Sequence, residues 1–376
     1  MEFWPKIQAD FWGILFLIFC LAVLIQLVYL VFFNLRLVLY RKKQDSTATP
    51  PVSVIVCARN EEDNLFKNLP AILEQNYPQF EVIVVNDMSV DESKHIIQAY
   101  QKQYPNLRFV EIEKNRHRTF GKKMPLTIGI KGAHYEHLVM IDADCYPAGK
   151  NWLRKLVANY TEGKEIIIGY GPYQIEKGFL NKLIRFDTTQ IAVNYLGFAN
   201  ARIPYMAVGR NMSYTKKRFF EVDGFKNHYH IQSGDDDLFM SDAATSKNVA
   251  IEINPESFVF SHPKKTWGDW VKQKQRHFTT APRYRLINKL LLGIFPASMI
   301  LMLLSFLILL FNFKWWWIPA GLLFIRYVLY WIVARSLFKK LASNDLVIWY
   351  PFLELIHLII MPFIYYSTDR RQPGKW

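Results

Sequence analysis

Long apolar runs at the two ends of the chain constrain its fold more than any other feature of the sequence. The first run, Phe11 to Phe33, is almost uncharged and long enough to cross a bilayer core of roughly 30 Å. Because no basic leader and no small-residue cleavage site flank it, the run predicts a retained membrane anchor and not a signal peptide. The last third of the chain contains three more apolar runs: Leu290 to Phe311, Trp315 to Ala334 and Leu346 to Tyr366.

The last of these runs is the least regular. It contains the polar residues Glu354 and His357 and two prolines. It therefore predicts either a crossing helix or a helix that lies in the membrane interface or is half inserted. Arg326, inside the third run, is costly in lipid, and we expect it to face a neighbouring helix or to extend its charge to the membrane surface. The C-terminal membrane part thus has two or three spans.

Basic residues beside the apolar runs predict the orientation of the chain. The stretch Arg41 to Lys43 directly follows the first run, so the positive-inside rule places the central part of the chain in the cytoplasm. Three basic residues after the third run agree with this orientation: Arg335, Lys339 and Lys340. Three others agree only if the fourth run does not cross: Arg370, Arg371 and Lys375. The prediction is an integral membrane protein, of a bacterial inner membrane, with a cytoplasmic central domain.

Composition divides the chain into three parts. Residues 1–49 form an N-terminal anchor with a basic linker, residues 50–285 a polar and mixed globular domain, and residues 286–376 a C-terminal membrane domain. The net charge of +14 fits attraction to anionic lipid headgroups and nucleotide phosphates. No basic and aromatic motif of a known nucleic-acid module is present, so we expect no nucleic-acid partner. The three cysteines offer neither a disulfide framework nor a Cys-x-x-Cys metal pattern.

The globular domain alternates β-branched runs with helix-like patterns. Four strands are predicted in its first half: Val52 to Cys57, Glu81 to Val85, Leu107 to Glu111 and His137 to Ile141. Strands separated by single helices predict an α/β fold with a parallel sheet and right-handed crossovers. Ligands of such sheets bind beyond the carboxyl ends of the strands.

Acidic residues stand just past three of these strand ends, at Glu61, Asp87 and Asp144. Asp142 and Asp144 are two residues apart, and strand alternation would point both carboxylates to one side. Two carboxylates at one point suit a hard divalent cation such as Mg²⁺ or Mn²⁺. A polar turn after a strand is the alternative interpretation.

The neighbouring charged residues also have two interpretations. Asp87 could cap the turn that follows it, Arg59 and Glu61 could form a surface ion pair, and Lys122 could be a solvated lysine in a basic loop. A nucleoside diphosphate, however, needs an acid or amide for its base or ribose. It also needs a metal and a flexible cation for its phosphates. The strand ends supply that set in order.

Two further clusters lie near the end of the domain. Asp235, Asp236 and Asp237 begin a helical pattern, either as favourable charges at a helix N-terminus or as the source of a general base. The base is Asp235 or Asp236, with a slight preference for Asp236. Gln273 and Arg276 share one helix face, where Arg276 suits a departing pyrophosphate. The alternative is an amphipathic basic helix that leads into the membrane.

In this order, the motifs resemble those of the family-2 glycosyltransferases. The segments that carry the resemblance are Pro51–Glu62, Val84–Asp91, Gly121–Ile130, Asp142–Asp144, Gly209–Met212, Val222–Phe225 and Gln273–His277. The likeness extends from about Pro50 to Phe278. Two positions depart from the family pattern, because Thr127 replaces an asparagine and His277 replaces the tryptophan of Gln-x-x-Arg-Trp.

The resemblance implies a GT-A fold, a Rossmann-like mixed sheet that binds nucleoside-diphospho-sugars, with transmembrane helices at both ends. It also implies roles for individual residues. Asp144, helped by Asp142, would hold the metal, and Asp235 or Asp236 would deprotonate the acceptor. The residues implied at the donor are Ala58, Arg59, Glu61, Asp87, Lys122, Asp142, Gln273 and Arg276.

The function implied is a membrane-bound, inverting glycosyltransferase that depends on a divalent metal. It would move a sugar from a nucleoside diphosphate sugar, a UDP- or GDP-sugar, to a lipid or glycan acceptor. Two alternatives remain. One is a processive polysaccharide synthase, which the missing tryptophan and the small number of spans disfavour. The other is an inactive nucleotide-sugar-binding membrane subunit, which the acids retained at three strand ends disfavour.

Overall fold

The computed structural model describes residues 10–41, 48–113 and 121–368. Several basic residues of the predicted orientation lie outside the described residues: Lys42, Lys43, Arg370, Arg371 and Lys375. The strands are β1 (Val52–Ala58), β2 (Phe80–Asp87), β3 (Leu107–Ile112), β4 (His137–Asp142), β5 (Cys145–Pro147), β6 (Ile166–Ile168), β7 (Met212–Thr215), β8 (Val249–Ile251) and β9 (Val259–Ser261). The soluble-domain helices are α2 (Glu62–Leu73), α3 (Ser93–Gln103), α4 (Lys123–Gly132), α5 (Trp152–Val157), α6 (Phe179–Asn200), α7 (Lys216–Glu221), α8 (Asp237–Ala243) and α9 (Trp267–Phe278). They follow α1 (Phe11–Leu39) and precede α10 (Leu286–Asn312), α11 (Trp317–Lys340) and α12 (Tyr350–Tyr366).

A mixed seven-stranded sheet forms the centre of the globular domain, in the order β3-β2-β1-β4-β7-β6-β8. The first four strands are parallel, as the alternation of strands and helices predicts, and β7 runs antiparallel to both β4 and β6. The observed strands begin and end within a few residues of the predicted ones. Strands β5 and β9 pair separately as a short antiparallel ribbon.

Apolar side chains on the two faces of the sheet build two separate cores. Strand alternation sends Val54 and Val56 to one face, under α2, α3 and α5. Ile55 goes to the other face, under α4 and α6. All seven residues of β1 are buried, as expected for a central parallel strand covered on both faces. The sheet therefore holds the carboxyl ends of β1, β2 and β4 in fixed positions at one edge.

Within the described residues, four helical segments are long and apolar enough to cross a membrane, and each overlaps one of the four predicted runs. Arg326 of α11 faces neighbouring helices, as expected, and does not extend to the surface. Its guanidinium contacts both oxygens of Glu354, at 2.7 and 2.9 Å, and the side-chain oxygen of Gln26 at 2.7 Å. Since Gln26 also donates to Ser298 at 2.8 Å, one buried polar network joins α1, α10, α11 and α12.

The fourth apolar segment contacts the globular domain at both of its ends. Before α12, Asp345 accepts hydrogen bonds from Arg185 of α6 at 2.6 and 2.7 Å. After α12, the Ser367 carbonyl accepts one from Gln275 of α9 at 3.3 Å. A crossing helix would carry one end away from the domain. These contacts therefore favour the interfacial or half-inserted interpretation of this segment.

Cysteine labelling tests this topology. In a Cys20→Ala background, we expect Ser367→Cys to react with a membrane-impermeant maleimide only after the membrane has been permeabilised. Trp316→Cys, in the turn between α10 and α11, should react in intact cells and serves as the control for the opposite side. Labelling of both positions from outside would show that the fourth segment crosses.

Candidate functional site

Residues from distant parts of the sequence converge at the carboxyl ends of β1, β2 and β4. Asp142 is the last residue of β4, and the ammonium group of Lys122 donates a hydrogen bond to it. The same ammonium group lies 3.7 Å from Asp235, in the loop before α8. Burial alone would lower the pKa of Lys122, but the charges of Asp142 and Asp235 outweigh it and hold that pKa well above its usual range. Lys122 is therefore a permanent cation between two carboxylates, not a solvated loop lysine.

The Asp-x-Asp pair converges through a turn and not through strand alternation. Strand β4 ends at Asp142, and Asp144 lies in the turn before β5, so the strand argument for their shared direction is wrong. The turn nevertheless brings ligand atoms of Asp142, Asp144 and Cys145 within 4.8 Å of one another. Burial raises the pKa of the Cys145 thiol well above its usual value, and the two carboxylates raise it further, so the thiol stays protonated. The donor set that remains is two carboxylates, which fits a hard cation such as Mg²⁺ or Mn²⁺.

The loops after β1 and β2 form a second part of the site. Arg59 follows Ala58, the last residue of β1, and its guanidinium lies 3.6 Å from the Asp87 carboxylate at the end of β2. The side chain of Glu61 accepts a hydrogen bond from Asn64 at 2.5 Å. Burial raises the pKa of Glu61, and the nearby charge of Asp144 adds to the increase. The structure therefore places all three predicted strand ends around one cleft.

The three consecutive aspartates have different surroundings. Asp237 accepts hydrogen bonds from the Tyr284 hydroxyl at 2.6 Å and from Thr280, which makes it an anchor between α8 and the segment after α9. Asp236 accepts from the backbone N–H of Asp237 at 2.8 Å and of Gly209 at 2.9 Å. Burial, assisted by the charges of its two neighbours, raises the pKa of Asp236 to about 8. Asp235 is the member of the cluster that faces Lys122.

The loop before Asp235 is held by the residues on either side of Lys122. Lys123, which the sequence analysis did not single out, is buried and donates to the carbonyls of His228 at 2.6 Å and Ile231 at 2.9 Å. Gly121 has a φ of +84°, and a Cβ atom there would lie 2.3 Å from the Gln232 carbonyl oxygen. Only glycine fits this close approach in the left-handed region. The start of α4 thus positions both Lys122 and the loop that carries Asp235.

Gly121→Ala should therefore displace the loop. We expect at least about a tenfold loss in kcat/KM for sugar transfer, because the new methyl group would press on backbone atoms while the left-handed conformation is strained by about 1–2 kcal/mol. Gly132→Ala, at the other end of α4, is the matched control, since a Cβ atom there meets nothing within 4 Å. Equal activities of the two variants would show that the loop tolerates the displacement.

The predicted pair on α9, Gln273 and Arg276, lies between a cavity and the Asp142–Asp144 pair. Gln273 lines a small cavity of about 60 Å³ that opens to solvent, and its side chain donates to the Tyr173 hydroxyl at 3.1 Å. His277, one turn further along, also lines this cavity. Burial would raise the pKa of Asp142, but Lys122 lowers it, and the charges of Arg210 and Arg276 act in the same direction. Arg276 therefore lies close enough to the acid pair to act on a group bound there.

Three charged residues of this region were not among the predicted site residues. Asp187 of α6 is buried and contacts Lys274 of α9 at 2.8 Å and His357 of α12 at 2.9 Å. Arg210 lines the same cavity. Lys274 and Arg210 lie inside segments that carry the family resemblance, so the sequence offered a reason to consider both as site residues. For Asp187 the sequence offered a weaker reason, which is that it is an acid within a largely apolar helix.

Comparison with known proteins identifies the family. The model of glycosyl transferase family 2 matches residues 53–222, which include the loops after β1 and β2, Lys122 and the Asp142–Asp144 pair. Residues 53–222 therefore form a domain of glycosyl transferase family 2. Asp235, Gln273 and Arg276 lie beyond the matched residues.

Two relatives are similar to this chain over parts of their length. Poly-beta-1,6-N-acetyl-D-glucosamine synthase of Staphylococcus epidermidis is 33% identical over 102 residues, which is 27% of this chain and 24% of the relative. Glycosyltransferase AglE of Haloferax volcanii is 26% identical over 240 residues, 61% of this chain and 73% of the relative. This chain thus matches only about a quarter of the first of these relatives.

A solved structure confirms the GT-A fold. Mannosyltransferase PcManGT from Pyrobaculum calidifontis, in complex with GDP-Man and Mn²⁺, superimposes with a TM-score of 0.56 at 17% sequence identity. The superposition covers 93% of this chain and 98% of the mannosyltransferase chain. The observed architecture, a mixed sheet with membrane helices at both ends, therefore agrees with the prediction.

Proposed function

We propose that this protein transfers a sugar from a nucleoside diphosphate sugar to a hydroxyl group of a lipid or glycan acceptor. The observation that carries the proposal is the convergence of Lys122, Asp142, Asp144 and Asp235 in one cleft at the carboxyl ends of the sheet. The cleft holds two carboxylates that suit a metal, those of Asp142 and Asp144, and a fixed cation, Lys122. The carboxylate of Asp235 remains available to act as a base. Those are the groups that a single displacement at an anomeric carbon uses, and such a displacement inverts its configuration.

The donor would lie across the ends of β1 and β2. Ala58 and Arg59 place backbone and guanidinium groups beside Asp87, whose carboxylate suits the hydrogen-bond donors of a nucleobase. Glu61 lies between this part and the acid pair, where a ribose or phosphate would follow the base. The GDP-Man bound by the solved mannosyltransferase supports a nucleotide-sugar donor, either a UDP- or a GDP-sugar.

Asp144 and Asp142 would hold a divalent cation. When bound, Mg²⁺ or Mn²⁺ would offset the charge of the diphosphate and stabilise it as a leaving group. Lys122 keeps Asp142 ionised and adds positive charge on the same side, and Arg276 adds charge from α9. The Mn²⁺ in the solved neighbour supports a divalent metal of this kind.

Asp235 is the better candidate for the general base. The sequence slightly favours Asp236, but both oxygens of Asp236 accept backbone N–H groups, and these contacts hold its side chain against the Gly209 loop. A base must be ionised and must reach the acceptor proton. Asp235 faces the fixed cation Lys122 at 3.7 Å and lies on the cleft side of the cluster. We therefore assign proton removal to Asp235 and the positioning of the Gly209 loop to Asp236.

We further propose one transfer for each acceptor, with the site at the cytoplasmic face of a bacterial inner membrane. Arg41, Arg335, Lys339 and Lys340 support the orientation. The three proposed parts are residues 1–49, 50–285 and 286–376. His277 in place of tryptophan and the small number of crossing helices favour single transfer over a processive synthase.

Purified full-length protein tests the proposal. It would be assayed in detergent with Mg²⁺ or Mn²⁺, a panel of UDP- and GDP-sugars, and membrane-lipid extract. A single glycolipid product supports the lipid glycosyltransferase, and a ladder of products supports a polymer synthase. Donor binding without turnover in any extract would support an inactive binding subunit. Absence of donor binding would overturn the proposal altogether.

A further inference from the structure

The cavity beside Gln273 lies between α6, α9 and the segments that follow β6 and precede β7. Helix α6 forms one wall, and its Phe198 ring packs 4.2 Å from the Phe33 ring of α1, measured between ring centres. Helix α9 forms another wall through Trp270, which in turn contacts the exposed Trp267. A ligand in this cavity would therefore lie close to the membrane surface.

Most charges in the cavity wall already have partners. Lys274 donates to Asp187 at 2.8 Å, and both side chains are buried. The other carboxylate oxygen of Asp187, Oδ1, contacts Nε2 of His357. These contacts neutralise Asp187 and Lys274, so neither residue requires a charged ligand.

Arg210 differs, because its partly buried guanidinium makes no ion pair within 4 Å among the described residues, and the carboxylates of Asp142 and Asp144 act on it only from a greater distance. It donates from Nε and Nη2 to the carbonyl of Gly171 and lies 4.8 Å from the ring centre of Tyr173. Nη1 makes no hydrogen bond within the described ranges. A guanidinium in a largely apolar and aromatic wall costs free energy unless an anion compensates it. Its planar fork suits the oxygens of a phosphate or carboxylate.

Gly171 makes room for this guanidinium. A Cβ atom at Gly171 would lie 2.3 Å from Nε of Arg210 and 3.0 Å from its Cδ atom. The backbone thus leaves open the place that the arginine side chain occupies. Three exposed lysines, Lys264 and Lys265 before α9 and Lys272 on it, add positive charge to the surface of this part of the chain.

We propose that this cavity binds the anionic group of the acceptor, a phosphate or carboxylate next to the hydroxyl that receives the sugar. The inference rests on the proposed transferase function and narrows its acceptor to an acidic amphiphile of the membrane. Arg210 contacts the anion and selects the acceptor. Gln273 and Tyr173 provide neighbouring polar groups.

Binding of matched lipids to full-length protein in neutral detergent tests the proposal by calorimetry. The probes are dihexanoyl phosphatidate, the uncharged dihexanoylglycerol with the same chains, and inorganic phosphate. We expect phosphatidate to bind at least tenfold more tightly than dihexanoylglycerol. Arg210→Gln should remove that preference, and Gly171→Ala should weaken it by displacing the guanidinium. Arg202→Gln, the same change at an exposed arginine outside the cavity, should have no effect.

The outcomes separate the source of the anion and the role of Arg210. Binding of inorganic phosphate as tight as that of phosphatidate, and lost in Arg210→Gln, supports an anion site for soluble acceptors. Equal binding of the two lipids, or an unchanged preference in Arg210→Gln, overturns the proposal. Weaker binding of nucleoside diphosphate and Mn²⁺ in Arg210→Gln, with phosphatidate binding intact, assigns Arg210 to the donor and also overturns it. Because these measurements need no turnover, a failure of the transferase function would be seen separately, as absent donor binding in the wild-type protein.

Discussion

Asp235→Asn is expected to lower kcat for sugar transfer by about 10²–10⁴-fold while donor affinity stays within about threefold. The amide has almost the shape of the carboxylate, so the loop before α8 should keep its position. It cannot take a proton from the acceptor hydroxyl, however. Loss of one negative charge beside Lys122 leaves that cation with Asp142 as its partner. Initial rates with saturating donor, together with calorimetric titration of the nucleoside diphosphate, separate the two effects.

Asp236→Asn is the matched control for this variant. An asparagine oxygen can accept one of the two backbone N–H groups that Asp236 accepts, although its amide nitrogen cannot accept the other. Asparagine is also a favourable residue at a helix N-cap. Its kcat should therefore stay within about tenfold of the wild-type value. The reverse pattern, with Asp236→Asn inactive and Asp235→Asn active, would move the base to Asp236. Full activity of both variants would indicate an acceptor that is already ionised and needs no base.

Asp144→Asn is expected to weaken Mn²⁺ binding by at least about 100-fold, since loss of an outer hydrogen-bonding partner alone costs 10–100-fold at metal sites. Asp144 is the cleaner test of the pair, because Asp142 also holds Lys122 and its substitution would disturb two contacts. Mn²⁺ binding can be followed by electron paramagnetic resonance, with and without nucleoside diphosphate. Sugar transfer should fall in parallel, because the leaving diphosphate would lose its counter-charge.

Cys145→Ala provides the comparison at the same site. The Cys145 thiol donates to Asp144 at 3.1 Å, and hard cations such as Mg²⁺ and Mn²⁺ prefer oxygen to sulfur ligands, so the thiol should not ligate the ion. Mn²⁺ affinity in this variant should stay within about threefold of wild type. A loss as large as that of Asp144→Asn would mean that the thiolate is a ligand and that a softer metal belongs here.

The periodic parts of the fold were predictable because burial controls them. The β-branched run of β1 could be recognised from its residues, since a strand covered on both faces excludes polar side chains. The Asp142–Asp144 pair was recognisable for a similar reason, because acids after a buried strand have no role in a core. The geometry of this pair could not be predicted, because the turn that follows β4 depends on the pairing of β5 with β9. Strand β9 lies more than a hundred residues further along the chain.

Choices between neighbouring residues depended on distant contacts. Asp235 and Asp236 are equivalent in the sequence, and only the Gly209 N–H and the Lys122 ammonium group distinguish them. The fourth apolar run likewise has the composition of a span. Its contacts with Arg185 and Gln275, on two separate helices of the globular domain, favour a different placement. Local patterns carry no information about such contacts.

The placement of α12 has a consequence for what happens to the product. If the fourth segment stays on the side of the globular domain, three helices cross the bilayer, and the buried contacts of Gln26 with Arg326 and Ser298 hold them together. Three closely packed helices leave no lumen through which a sugar chain could pass. A glycosylated lipid would therefore remain in the leaflet where it is made. Its movement to the opposite leaflet would require a separate flippase.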